Sequence, residues 1–94
     1  MECNDILSKV KKVHFVGIGG SGMCPIAEIL LHKGYQITGS DTAESDTLAR
    51  VRSYGVPVSM GQKTENVKGA ELVVYSAAIK HDNPELVAAR KQGI

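Results

Sequence analysis

Apolar positions along this chain change their spacing several times, and each change marks an element. Ile6, Leu7 and Val10 recur at spacings of three and four, enough for one short amphipathic turn, so residues 1–11 read as a leader. Residues 13–18 then form a β-branched and aromatic run that ends in glycines, the pattern of a buried strand. Residues 22–33 predict a helix with Ile26, Ile29, Leu30 and Lys33 on adjoining turns, Pro25 in its first turn and Gly34 as its stop. Residues 35–40 alternate between glycines and predict a second strand. Thr42 or Ser45 is the cap expected for a second helix, with Leu48, Val51 and Arg52 on adjoining turns before Tyr54.

Residues 56–60 predict a third strand, which Pro57 confines to a sheet edge. Residues 64–69 read as a turn or a single helical turn. Residues 71–75 form a fourth strand whose continuous apolar character predicts cover on both faces. After a loop over residues 76–82, Asn83, Pro84 and Glu85 supply cap, first-position proline and first-turn acid for a last helix that Gly93 can end. Strands alternating with helices predict an α/β fold: a Rossmann-like parallel sheet with right-handed crossovers and helices on both faces. The pattern stops where a fifth strand is due, so the expectation is one domain over residues 12–94, truncated before that strand. The fourth strand would then be an edge, and self-association or marginal stability is expected.

Composition narrows the function. With 94 residues, 43% hydrophobic and 22% charged, the chain has the make-up of one globular domain, burying somewhat over ~60% of its unfolded surface. A net charge of +1 with four aromatic residues argues against a nucleic-acid platform. No apolar run is long enough to span a membrane and no signal peptide opens the chain, so a cytoplasmic location is expected. Cys3 and Cys24 make neither a disulfide framework nor a zinc site, and three histidines without spaced partners make no metal site.

Gly17, Gly19 and Gly22 spell G-x-G-x-x-G between a predicted strand and a predicted helix. Glycines let a phosphate approach the backbone, and the helix N-terminus offers N–H groups and partial positive charge to an anion. Asp41 follows Gly19 by 22 residues at the end of the second strand, where an acid can accept from ribose hydroxyls; a turn-polarising or helix-capping role is the alternative. These features indicate a nucleotide or dinucleotide diphosphate without choosing between them.

The run from His14 to Met23, with its double glycine and following methionine, resembles the opening signature of the Mur ligase family of peptidoglycan synthesis. Ile26-Ala27-Glu28 and Gly39-Ser40-Asp41 continue the likeness, and Ser76-Ala77-Ala78-Ile79 followed by Asn83-Pro84-Glu85 resembles a second signature. Together they cover about residues 12–94. Within the family the likeness is to the branch that joins L-alanine to UDP-N-acetylmuramate. The resemblance implies the N-terminal, UDP-N-acetylmuramate-binding domain of a three-domain, ATP-dependent amide ligase. ATP and magnesium would be held by the other domains, because this chain lacks the phosphate loop G-x-x-x-x-G-K-[ST]; alone it would bind substrate, use no cofactor and carry no catalytic residue. By the same resemblance Gly19, Gly20, Ser21, Gly22 and Met23 line the diphosphate, Ser40 and Asp41 approach ribose and uracil, and Ser76, Ala77, Ala78 and Ile79 wall the uracil. Gln62 stands where relatives often have His, which leaves it a peripheral candidate.

His81 and Lys80, on the loop after Ile79, are further peripheral candidates. His14 reads as a structural residue of the first strand and His32 as a surface residue at a helix end. Cys24 reads as a small packed thiol. Two other functional classes stay open at this point. An NAD-binding domain would use the same glycines and Asp41, and a ligand-free interaction module would use the glycines for packing alone.

Overall fold

The computed structural model describes residues 10–20 and 22–94. Strand β1 (Lys12–Val16) leads into helix α1 (Met23–His32), strand β2 (Gln36–Asp41), helix α2 (Asp46–Ser53) and strand β3 (Val58–Met60). A 3-10 turn (Thr64–Val67), strand β4 (Leu72–Tyr75) and helix α3 (Pro84–Gln92) complete the order. The four strands form one parallel sheet in the order β3-β2-β1-β4, with Val16 beside both Ser40 and Tyr75. This is the Rossmann-like arrangement that the alternation predicts, with β3 at an edge as Pro57 requires.

The two faces differ in chemistry. Val13, Phe15 and Ile37 project to one face and meet Met23, Cys24, Ala27 and Leu30 of α1 and Leu48 and Val51 of α2 in a wholly apolar core. His14, Val16 and Ser40 project to the other face, where α3 and the 3-10 turn supply Glu85, Leu86, Ala89 and Val67. The alternation of β1 therefore serves two cores, one dry and one with a polar centre.

Local chemistry explains the ends of the elements. Ser45 caps α2 by accepting from the Leu48 N–H, and Asn83 caps α3 by accepting from the Glu85 N–H. Gly93 ends α3 in the left-handed region at φ 74°.

Three expectations need correction. The buried arc of α1 runs through Met23, Cys24, Ala27 and Leu30, while Ile26 and Ile29 are 43% and 56% exposed. Periodicity alone selected the wrong arc, because either one has helical spacing and only the position of the sheet chooses between them. Strand β4 is not fully covered: Leu72, Val73 and Val74 are half-buried and Tyr75 is 44% exposed, at a sheet edge where β1 is its one strand neighbour among the described residues. Strand β3 begins at Val58, not at residue 56, although Val56 is buried just ahead of it. Of the leader, residues 1–9, with Ile6, Leu7 and Cys3, lie outside the described residues, while Val10 packs against the apolar core.

Candidate functional site

All four strands run the same way, so the loops that follow them meet at one end of the sheet. The turn after β1 starts at Gly17, whose φ of 77° lies in the left-handed region. A Cβ there would also stand 3.2 Å from Ile79 Cδ1, so the loop after β4 closes over the glycine turn.

Most N–H groups of the glycine turn already have acceptors. Gly17 and Ile18 donate to the Ser40 carbonyl at 2.8 and 3.0 Å, and Gly19 donates to Asp41 Oδ2 at 2.9 Å. Gly20 donates to the Gly17 carbonyl, and Met23 and Cys24 donate to the Gly20 carbonyl. Gly20 and Gly22 are exposed, and the Gly22 N–H has no acceptor among the described residues. Met23, expected to line a diphosphate, has its side chain in the core and its N–H engaged. Ser21 lies outside the described residues.

Asp41 is half-buried and spans two loops. Its Oδ2 holds Gly19, and its Oδ1 accepts from the N–H groups of Thr42 and Ala43 at 2.7 and 3.4 Å. The packing is close at position 19, where an added Cβ would meet Asp41 Oδ2 at 2.8 Å and push the carboxylate aside. Ser40, expected to approach ribose or uracil, is corrected: it is fully buried and its hydroxyl donates to Glu85 Oε1 at 2.7 Å. Its side chain faces the polar core, away from the surface where a ligand would lie.

Glu85 is the residue that sequence reasoning missed. Read there as a first-turn helix acid, it is fully buried with both oxygens saturated. Oε1 accepts from His14 Nε2 and Ser40 Oγ, each at 2.7 Å. Oε2 accepts from the Lys63 N–H at 3.2 Å and from Asn66 Nδ2 at 2.8 Å. Four donors match the four acceptor positions of a carboxylate. Burial pushes this carboxyl up, but hydrogen bonds from His14, Asn66 and Ser40 outweigh it and hold the group below its ordinary value. His14 is thereby structural, as expected, with its Nδ1 paired to Thr38 Oγ1 at 2.8 Å. Its signal in the sequence was a histidine inside a strand otherwise made of apolar residues.

On the loop after β4, Ala77 and Ala78 are exposed, Ser76 and Ile79 are half-buried, and Ser76 Oγ accepts from the Ala78 N–H. Lys80 is exposed beside them. His81 is turned toward α3, where Arg90 donates to its carbonyl at 2.8 Å. Gln62 Oε1 accepts from Asn83 Nδ2, tying the loop after β3 to the start of α3. The structure therefore brings together the glycine turn, Asp41 and residues 76–80, and sets Ser40, Gln62 and the Met23 side chain to supporting contacts.

Cys24 is a free thiol in the first turn of α1 and only 4% exposed, a packed residue as expected. Alkylation by a maleimide under native conditions is expected to be much slower than in denaturant. Equal rates, followed by mass spectrometry, would contradict this burial. No helix among the described residues is long and apolar enough to cross a membrane, and no cluster of His, Cys, Asp and Glu among them is arranged to hold a metal ion.

Comparison with known proteins agrees with this arrangement. The sequence profile described as Mur ligase family, catalytic domain, matches residues 12–94. The chain is 57% identical over 86 residues to the UDP-N-acetylmuramate–L-alanine ligase of Sulfurihydrogenibium sp. (strain YO3AOP1), covering 92% of this chain and 19% of that one. It is 55% identical over 85 residues to the enzyme of the same name from Legionella pneumophila (strain Corby), covering 90% and 18%. Among solved structures, UDP-N-acetylmuramate-alanine ligase from Thermotoga maritima superposes with a TM-score of 0.84 at 36% identity, over 88% of this chain and 19% of that one. The UDP-N-acetylmuramate:L-alanyl-gamma-D-glutamyl-meso-diaminopimelate ligase from Neisseria meningitides shares the fold, with a TM-score of 0.81 at 23% identity over 90% and 27%. This chain thus spans about a fifth of the length of the curated relatives it matches.

Proposed function

The chain belongs to the Mur ligase family, and from that premise we propose that it is the UDP-N-acetylmuramate-binding domain of a cytoplasmic ligase adding L-alanine to that substrate in peptidoglycan synthesis. One observation carries the reading: the glycine turn, Asp41 and residues 76–80 come together at the ligand-binding end of a parallel sheet. An NAD-binding role is not favoured, since relatives at this identity are ligases by name and the loop over residues 76–80 has no part in a dinucleotide pattern.

In this reading the exposed edge of Gly20, Ser21 and Gly22, with the N-terminus of α1 behind it, holds the diphosphate. Asp41 faces the ribose, and Ser76, Ala77, Ala78 and Ile79 wall the uracil. Met23 and Ser40 support from beneath, and Lys80 is the nearest cation in sequence to that wall. ATP and magnesium, which the ligase reaction requires, have no fitting residues here. Gly17 and Gly22 have the spacing of a phosphate loop, but Met23 and Cys24 stand where Lys and Ser or Thr would be needed. The acyl phosphate that L-alanine attacks would be made elsewhere in the ligase, and this domain's part is to fix the uridine end of the substrate.

An amide NMR titration with UDP-N-acetylmuramate, UDP and NAD in parallel tests the proposal. Saturable shifts at Gly19, Gly20, Gly22, Asp41 and residues 76–79 with the uridine ligands alone are expected. Shifts with NAD alone would overturn it. Gly22→Asp separates binding from folding. Gly22 is the N-cap of α1, its φ is −87°, and nothing lies within 4 Å of an added Cβ. The backbone there is open to any residue and an acid suits a helix N-terminus, so thermal stability should hold. A carboxylate at the diphosphate position should nonetheless weaken UDP-N-acetylmuramate binding by about tenfold or more. Unchanged affinity would remove the glycine turn from the site.

We also infer that the chain self-associates through β4. Its outer edge has no strand partner among the described residues, and a hollow of about 150 Å³ lined by Val73, Tyr75, Leu86, Ala89, Arg90 and Ile94 lies beside it. Sedimentation should show a concentration-dependent dimer. A monomer at high concentration with strong amide protection over residues 72–75 would contradict it.

A further inference from the structure

We propose that Glu85 is a positioning residue for the ligand-binding loops: its buried carboxylate fixes the glycine turn against the loop after β3. The inference rests on the substrate-domain reading for its ligand, but its geometry stands apart from it. Two routes of hydrogen bonds run from the carboxylate to the glycine turn. The first passes through Ser40, whose hydroxyl donates to Glu85 Oε1 while its carbonyl accepts from Gly17 and Ile18. The second starts at Oε2 and passes through Asn66 Nδ2, which also donates to the Gly61 carbonyl at 3.1 Å. The Gly61 N–H donates to the Asp41 carbonyl, and the Asp41 carboxylate holds Gly19.

Glu85 also reaches the remaining loops. Lys63 donates its N–H to Oε2, next to Gln62, which is bonded to Asn83 at the end of the loop after β4. Every loop at this end of the sheet is therefore no more than a few hydrogen bonds from one carboxylate. A carboxylate suits this place because it accepts only, so no donor in the cluster meets another donor. An amide in the same volume turns its NH₂ toward either the His14–Ser40 pair or the Lys63–Asn66 pair. The donors on that side must then reorient to accept or lose their partner, which weakens one route to the glycine turn. The function of this arrangement is preorganisation: loops held in one geometry lose less entropy when a ligand arrives.

The test compares Glu85→Gln and Ser40→Ala with Val51→Ala in the full chain. Val51 is buried in the apolar core on the opposite face, so its truncation lowers stability without touching the network. Amide exchange is measured without ligand at Gly17, Ile18, Gly19 and Gly61, and UDP-N-acetylmuramate affinity is measured well below each melting temperature. Glu85→Gln should exchange about tenfold faster than Val51→Ala at one or more of these amides, and Ser40→Ala at Gly17 and Ile18, with affinity reduced severalfold. Where Glu85→Gln does not fold, Ser40→Ala decides. Exchange no faster than in Val51→Ala overturns the positioning role. Faster exchange with a wild-type chain that does not bind UDP-N-acetylmuramate upholds the role and rejects the ligand.

Discussion

Gly39→Ala is expected to destabilise the domain more than an alanine at any other glycine. Gly39 lies in β2, between β1 and β3, and donates its N–H to the Pro57 carbonyl. A Cβ at this position would stand 2.6 Å from Ile18 Cδ1 and Cγ2 and 2.7 Å from Ile18 Cβ. The first two atoms can move with a rotamer change, but Cβ moves only with the backbone. That backbone is held, because the Ile18 N–H is bonded to the Ser40 carbonyl and the Ile18 side chain is fully buried. Overpacking of this kind costs about 1–3 kcal/mol and sometimes more. Against a total stability of about 5–15 kcal/mol, the midpoint of urea unfolding should fall clearly.

Adding Ile18→Ala to Gly39→Ala distinguishes a steric clash from lost chain flexibility. Ile18→Ala alone removes buried methyl groups and costs about 2–5 kcal/mol. It also removes two of the three atoms that the new Cβ meets, so the double variant should be more stable than the sum of the single losses implies. Strict additivity in a double-mutant cycle would mean that Gly39 is not there to make room for Ile18.

Gly39 also shows where sequence reading ran out. The alternation of strands and helices, the cap at Asn83 and the edge position of β3 all depend on residues close together in the chain, and all were legible. The glycine turn was legible because strand, glycines and helix follow one another directly. What escaped were choices made by distant parts of the chain. Ile26 and Ile29 have the same helical spacing as the arc that is buried, and only the sheet beneath α1 selects between them. Gly39 looked like part of a Gly-Ser-Asp string, although its glycine answers to Ile18. The family resemblance implied a ligand-facing Ser40 beside Asp41, yet strand alternation turns its hydroxyl to the opposite face, toward Glu85.

Glu85 lies 71 residues from His14, and no local pattern connects them. Replacing Glu85 with Gln is expected to cost about 1–3 kcal/mol at neutral pH, the usual penalty for leaving buried hydrogen-bond donors without their acceptor. That penalty should depend on pH in a definite direction. The native carboxyl is held below its ordinary value of 4.5, so the unfolded chain takes up this proton more readily than the folded one. The stability the charge contributes is complete above that value and drains away as pH falls through the lower native one. His14 is the one titratable side chain bonded to Glu85; its other donors are Ser40, Asn66 and the Lys63 backbone.

Other carboxylates also weaken the fold in acid, and the backbone-bonded Glu71 is among those held below their ordinary values. Their effects are common to the wild type and Glu85→Gln, and cancel in the difference between them. Measured by urea unfolding from about pH 7 down to about pH 3, the gap between the two proteins should therefore narrow as the pH falls below the carboxyl's ordinary value. The narrowing follows because a protonated Glu85, like glutamine, brings no charge to the cluster. A gap that stays constant over the whole range would mean that Glu85 titrates alike in the folded and unfolded chain, and a gap that widens in acid would mean that the native cluster holds it protonated at neutrality.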